Sequence, residues 1–239
     1  MIVLNTVFPL LNIKSKLLLP IVQGGMGVGI SAHRLAGNVA RLGAVGTISS
    51  VDLRRHHCDL MVRTEHSRDK DAINEANLIA LDREILAARA LAGGNGMIAV
   101  NVMRAVAEYS AYVRQSCESG ADAVVVGAGL PLDLPDLTAD YPNVALIPIL
   151  SDARGIALVL KKWMRKSRLP DAIIIESPRY AAGHLGAAKL DDVNDSRYAF
   201  PVVLEESLEL YKQLDIERER IPLIVAGGVN SHEQMRELI

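Results

Sequence analysis

Aromatic side chains are scarce in this sequence, at 4% of 239 residues, with two Phe and one Trp. A core built from stacked rings is excluded. Half of the chain is nonetheless hydrophobic, so the interior must be filled by Ala, Val, Ile and Leu, as in buried parallel sheets. Cysteine is nearly absent. Cys58 and Cys117 form neither a disulfide framework nor a metal-ligand spacing, which leaves two structural thiols and no metal site. Charge of one sign is lacking too: a net charge of -2 offers no field to gather phosphate backbones or anionic lipid, so neither nucleic acid nor membrane is expected as a partner. Long hydrophobic runs are missing, the longest, such as 144–150, being of strand length. The N-terminus shows no basic region followed by a small-residue cleavage site. These absences predict a cytoplasmic protein acting on a small-molecule substrate, with a homo-oligomer left open.

What is present is a repeat of short β-branched runs, at 20–23, 44–48, 97–101, 123–127, 144–150, 172–176 and 223–226. Helical stripes separate them: Leu35, Val39 and Leu42 after Ser31 as N-cap; Leu78, Leu81, Ile85, Ala88 and Ala92; Val106, Tyr109, Val113 and Cys117; Ile156, Leu160 and Trp163 after Asp152; and Leu204, Leu208 and Tyr211. Ser231 and Gln234 open a last helix as a capping box. Strict alternation of strand and helix implies parallel strands with right-handed crossovers. Seven such units favour a (β/α)8 TIM barrel over a doubly wound sheet, in one α/β domain spanning 1–239. The eighth strand is absent, so the expectation is a C-terminally truncated barrel or a piece of a longer chain. Two intervals are long, predicting loop insertions at about 49–75 and 177–200 on the face where barrel active sites are built. The first carries Arg54, Arg55, His56, His57, Arg63, His66 and Arg68. A solvated, mobile loop is the plainer reading of that segment, a lid or an anion contact the sharper one.

Three segments carry candidate chemistry. Gln23-Gly24-Gly25-Met26-Gly27-Val28-Gly29 follows the first strand, where glycines let a flat ring or a phosphate approach the backbone. Gly27, Gly29 and Ala32 also fit a dinucleotide fingerprint with Asp52 as the ribose acid, but Asp52 lies past the strand end where that acid belongs. Ala226-Gly227-Gly228-Val229-Asn230 follows the seventh strand and leads into a helix N-terminus, a pattern suited to phosphate, or else to a tight turn. Glu176-Ser177-Pro178-Arg179-Tyr180-Ala181-Ala182-Gly183-His184-Leu185-Gly186 runs off the sixth strand. Its histidine, flanked by small residues, is positioned for proton transfer near neutral pH. The other histidines read as structural or surface residues.

Taken together, Pro20-Ile21-Val22-Gln23-Gly24-Gly25-Met26-Gly27, Ala99-Val100-Asn101-Val102-Met103, Ala182-Gly183-His184-Leu185-Gly186 and Ala226-Gly227-Gly228-Val229 resemble the nitronate monooxygenase family, formerly called 2-nitropropane dioxygenases and related to NAD(P)H-dependent flavin oxidoreductases. The resemblance runs along almost the whole chain. It implies FMN, with Gly25, Met26 and Gly27 against the isoalloxazine ring, Asn101 near its polar edge, Gly183 beside it, and Gly227 and Gly228 on the phosphate. It makes His184 the catalytic residue, and the reaction an oxidation of alkyl nitronates or nitroalkanes by oxygen to a carbonyl compound and nitrite. Ser177-Pro178-Arg179-Tyr180 departs from the shorter glycine-containing stretch of many relatives, and Ala182 stands where many have glycine. The same scaffold resembles NAD(P)H-dependent flavin reductases of the enoyl-acyl carrier protein reductase or quinone reductase type, for which NAD(P)H would be the reductant. An inactive truncated chain is the remaining alternative. Inosine monophosphate dehydrogenase is disfavoured, because the loop after the sixth strand has no cysteine nucleophile.

Overall fold

The computed structural model describes residues 6–181, 186, 187 and 189–238. A hairpin of β1 (Leu11–Ile13) and β2 (Lys16–Leu18) comes first, then β3 (Val22–Gln23), β4 (Val45–Ser49), β5 (Met97–Met103), β6 (Ala123–Gly127), β7 (Ala145–Leu150), β8 (Ile173–Glu176) and β9 (Leu223–Ala226). Between them lie α1 (His33–Arg41), α2 (Cys58–Thr64), α3 (Lys70–Ala92), α4 (Tyr109–Glu118), α5 (Leu134–Leu137), α6 (Ala153–Met164) and α7 (Phe200–Gln213), with α8 (His232–Glu237) after β9. Every one of the seven expected strands is found. The strands pair in chain order from β3 to β9. A doubly wound sheet would reverse that order at a switch point, so the topology is that of a (β/α)8 barrel over seven strands, and an eighth is not among the described residues.

The chain divides into two compact units, residues 1–125 with 136–145, and residues 126–135 with 146–239. In the first, β3 runs parallel to β4 with Gln23 opposite Gly46, and β4 runs parallel to β5 with Ser49 opposite Asn101. Helix α1 lies so close on β4 that a Cβ on Gly46 would sit 1.9 Å from the carbonyl oxygen of Ala36; only glycine permits that approach. The core is aliphatic as composition demands, with Val45, Ile48, Leu81, Ile85, Val100 and Val113 all buried. Asp122, just before β6, accepts a hydrogen bond from Ile98 N at 2.8 Å, and its own N–H donates to Ile98 O at 2.8 Å. Lys16, in β2, reaches the same carboxylate at 2.7 Å and ties the hairpin down.

In the second unit β7, β8 and β9 are parallel, with Ile149 opposite Ile174 and Glu176 opposite Ala226. The strand-start aspartate recurs: Asp171 accepts from Leu146 N at 2.8 Å and donates through its own N–H to Leu146 O at 3.0 Å. Asp152 caps α6 by accepting from Gly155 N, as expected, and Trp163 is fully buried with its indole N–H donating to Pro131 O at 3.0 Å. Helix α7 turns slightly from the expected stripe, burying Val203, Ser207, Leu210 and Tyr211 and leaving Leu204 and Leu208 half-buried. Its Ser207 satisfies itself by donating to Val203 O at 2.6 Å.

Three expectations require correction. Ser31 does not cap α1: its hydroxyl accepts from Met26 N at 2.7 Å and donates to Met26 O at 3.3 Å, and the cap position is Ala32. Residues 52–71 are largely exposed, but they are not a loop throughout. A 3-10 turn at Leu53–His56 and then α2 fold there, with Leu53, Arg54, Leu60 and Thr64 buried. Helix α3 begins two turns before the apolar stripe at Leu78, because its first turns are polar and capped by Asp69, which accepts from Asp71 N and Ala72 N.

Candidate functional site

In the first unit the glycine loop is fixed at both ends. The Gln23 amide extends the β3–β4 ladder past the last strand residue, donating to Thr47 O and accepting from Thr47 N, each at 3.1 Å. Ser31, fully buried, closes the loop through Met26 and accepts Ser49 N on its carbonyl at 3.1 Å. Within this frame Gly25 lies directly on Asn101: a Cβ there would stand 2.5 Å from Asn101 Cβ. Gly27 faces Ser49 Oγ at 3.2 Å by the same construction, and Gly24 opens to empty space. Met26 is exposed at the tip. The structure therefore brings Gly25, Met26, Gly27 and Asn101 together at the C-terminal ends of β3, β4 and β5. Of the three glycines only Gly24 leaves open space where a Cβ would stand; at Gly25 and Gly27 that space is taken by Asn101 and Ser49.

The neighbouring insertion is held inward. Arg54 is buried; its Nη1 donates to Thr64 Oγ1 at 3.1 Å and its backbone N–H to Asn77 Oδ1 at 3.1 Å. Asp52, the acid of the dinucleotide alternative, is in ion-pair contact with both Arg54 and Arg55, so it is committed within the insertion. Tyr112 sits beside this network, its phenol pushed up to about 12 by burial and then by the charges of Glu108 and Asp52. His56 is exposed, as read from sequence, and in addition lies on the glycine loop: a Cβ on Gly29, where φ is +68°, would overlap its ring.

A second residue missed from sequence is Glu84. It is buried, accepts from His33 N and from His33 Nδ1 at 2.7 Å each, and has His57 Nε2 3.1 Å away. A carboxylate from α3 thus serves the uncapped N-terminus of α1, where negative charge also meets the helix dipole favourably. The signal was available, since Glu84 stands between Leu81 and Ile85 on an otherwise apolar face.

The second unit carries the other glycine pair. Gly227 and Gly228 follow β9 with φ of +91° and +79°. The ring of Tyr180 rests on them, such that a Cβ on Gly228 would lie 2.4 Å from Tyr180 Cε2. A cavity of about 400 Å³ opens beside the pair, lined among others by Ser177, Arg179, Tyr180, Tyr198 and Phe200. At α8, Ser231 Oγ accepts from Gln234 N at 3.2 Å and Gln234 Oε1 accepts from Asn230 N at 2.9 Å, the expected capping box displaced by one residue on its return bond. Gly183 and His184 lie outside the described residues.

Cys117 is buried and its thiol is pushed up to about 12 by that burial, whereas Cys58 is exposed. Among the described residues no cluster of His, Cys, Asp and Glu could hold a metal ion, and no helix is long and apolar enough to cross a membrane.

A family model described as nitronate monooxygenase matches residues 9–238. Among solved structures, the chain is similar to nitroalkane oxidase from Streptomyces ansochromogenes, with a TM-score of 0.64 and 15% identity over 92% of this chain and 61% of that one. It is also similar to FabK from Thermotoga maritima, with a TM-score of 0.61 and 19% identity over 90% of this chain and 53% of that one. At these identities the likeness is one of fold, and the chain spans between half and two thirds of the length of these two structures. A search of curated proteins finds no match.

Proposed function

Because the chain belongs to the nitronate monooxygenase family, a family of flavin-type oxidoreductases, we propose that it binds FMN and oxidises alkyl nitronates or nitroalkanes with oxygen. The observation that carries this reading is the cradle of Gly25, Met26 and Gly27 on Asn101, which offers bare backbone and one amide to a planar ring. The residues fit the cofactor: Gly24 has open space where a Cβ would stand, Gly25 lets Asn101 lie against the loop backbone, and Gly227 and Gly228 line a cavity beside the Tyr180 ring. Flavin, when bound, supplies the two-electron acceptor and the reaction with oxygen. The chain's own contribution is positional and acid–base. Asn101 holds the polar edge of the ring, Gly227 and Gly228 hold the phosphate, and His184 takes the proton from the carbon bearing the nitro group or orients the nitronate.

Protein purified from cells is expected to show a visible flavin absorbance, and denaturation should release FMN rather than FAD. Anaerobic addition of a nitronate should bleach that band. Bleaching by NADH or NADPH with no response to nitronate would instead identify a reductase. Replacing His184 with Asn should keep flavin bound and slow turnover by roughly 10²- to 10⁴-fold, the scale of a lost general acid or base. Loss of flavin in that variant would make the residue structural.

A further inference from the structure

Helices α6 and α7 belong to the second unit and pack side by side. Each buries one face, and the opposite faces carry charge of opposite sign. On α6 the burial of Ile156, Val159, Leu160 and Trp163 turns Arg154, Leu158, Lys161 and Arg165 outward at spacings of three and four, with Lys162 beside them; all five are exposed. The helix contains no acidic residue. On α7 the burial of Val203, Ser207, Leu210 and Tyr211 turns Glu205, Glu206 and Glu209 to solvent, where all three are exposed. Lys212 is the only cation in that helix, and it is held by Glu209 at 3.3 Å. The two faces do not neutralise each other. Among the described residues Arg154, Lys161, Lys162 and Arg165 form no ion pair, nor do Glu205 and Glu206. A net charge of -2 thus conceals two segregated surfaces.

We propose that these faces form an interface for a second copy of the chain, arranged about a twofold axis so that α6 of each copy lies against α7 of the other. A twofold contact uses the same surface twice, so a surface half basic and half acidic complements itself in that exchange. A uniformly anionic partner fits less well. Lipid headgroups or a nucleic-acid backbone would meet the α7 carboxylates together with the α6 cations, and like charges across a contact repel. Leu158, 39% exposed amid the basic residues, and the half-buried Leu204 and Leu208 supply apolar contact between the charges. Exposed ion pairs contribute little each and are screened by salt, so the association is weak and salt-dependent rather than obligate.

Sedimentation velocity on the full chain at about 0.05 M and about 0.5 M salt is the measurement, since the Debye length falls from roughly 14 Å to roughly 4 Å between them. A dimer should form at the lower salt and dissociate at the higher. Arg154→Glu with Lys161→Glu makes both faces acidic, and Glu205→Lys with Glu209→Lys makes both basic. Each double variant should dimerise at least roughly a hundredfold more weakly. Mixed in equal amounts, the two should recover association as a heterodimer, because every α6 then meets an α7 of opposite sign. Recovery also shows that both variants fold. The neutral pair Arg154→Gln and Lys161→Gln should weaken the dimer roughly tenfold, with no added charge to disturb the helix. A chain that is monomeric at the lower salt, a dimer indifferent to salt or to these substitutions, or folded reversed variants that stay monomeric when mixed would each overturn the assignment. A monomer that sediments with phosphatidylserine vesicles, and no longer does so in Arg154→Glu with Lys161→Glu, would give the α6 face to a lipid surface and overturn it likewise.

Discussion

The two cysteines show how far single positions could be read. Cys117 falls on an apolar stripe, and the structure buries it in α4 with its thiol pushed up to about 12; Cys58 gave no such pattern and is exposed. Iodoacetamide at pH 8 should therefore label the native protein at Cys58 only, and both thiols after denaturation, as mass spectrometry of the peptides would show; native labelling of Cys117 would contradict its burial. The raised value also sets a sign for stability. The folded state keeps the Cys117 proton above the pH at which an unfolded thiol, near 9, has lost it. Its stabilising contribution is whole below that pH and is lost as pH rises toward about 12, because there the unfolded chain binds fewer protons. Histidines were less legible. His56 and His33 have no distinctive neighbours in sequence, and their roles, on Gly29 and on Glu84, arise from residues 27 and 51 positions away.

At the scale of elements, the seven parallel strands were readable because strands buried on both faces form unbroken apolar runs. The β1–β2 hairpin was not. Its turn places Lys14 and Ser15 at φ of +49° and +66°, a conformation normally announced by Asn-Gly or Asp-Gly; Lys-Ser gives no such notice. The strand-start aspartates were also missed, since one polar residue before an apolar run reads as an ordinary loop residue. Asp171 is nearly fully buried, and besides Leu146 it holds Arg168 Nη2 at 2.5 Å. Asp171→Ala leaves the Leu146 N–H without its acceptor and takes the carboxylate from Arg168, whose Nη1 keeps Leu169 O, and should cost about 1–3 kcal/mol in urea unfolding. Asp171→Asn keeps a carbonyl oxygen for Leu146 and should cost less. Equal losses for the two would mean that the charge toward Arg168, not the bond to the strand, sets the cost.

For the molecule as a whole, the sequence motifs fell into the two compact units separately, with the Gly25 to Gly27 cradle in one and the Gly227–Gly228 pair in the other. Neither motif is specific alone, because each is a glycine turn after a strand and its partners, Asn101 and Tyr180, come from other strands and loops. The flavin of the proposed function has a thermodynamic consequence independent of any turnover. A ligand that binds only the native state stabilises it by RT ln(1 + [L]/Kd), about 2.7 kcal/mol at a hundredfold excess over Kd. For a chain of this size each kcal/mol moves Tm by roughly 2–4 °C, so saturating FMN should raise Tm by roughly 5–11 °C. Riboflavin, which lacks the phosphate, should raise it less, since it forgoes whatever Gly227 and Gly228 supply. Asn101→Ala should reduce the shift for FMN and riboflavin alike, because it acts on the ring that both share. A double change at Gly227 and Gly228 to Ala, placed where φ is positive, should abolish only the difference between the two ligands and lower the Tm of the unliganded protein as well. Equal shifts for FMN and riboflavin in the unmodified chain would remove the phosphate from the second unit, while leaving the ring on Asn101.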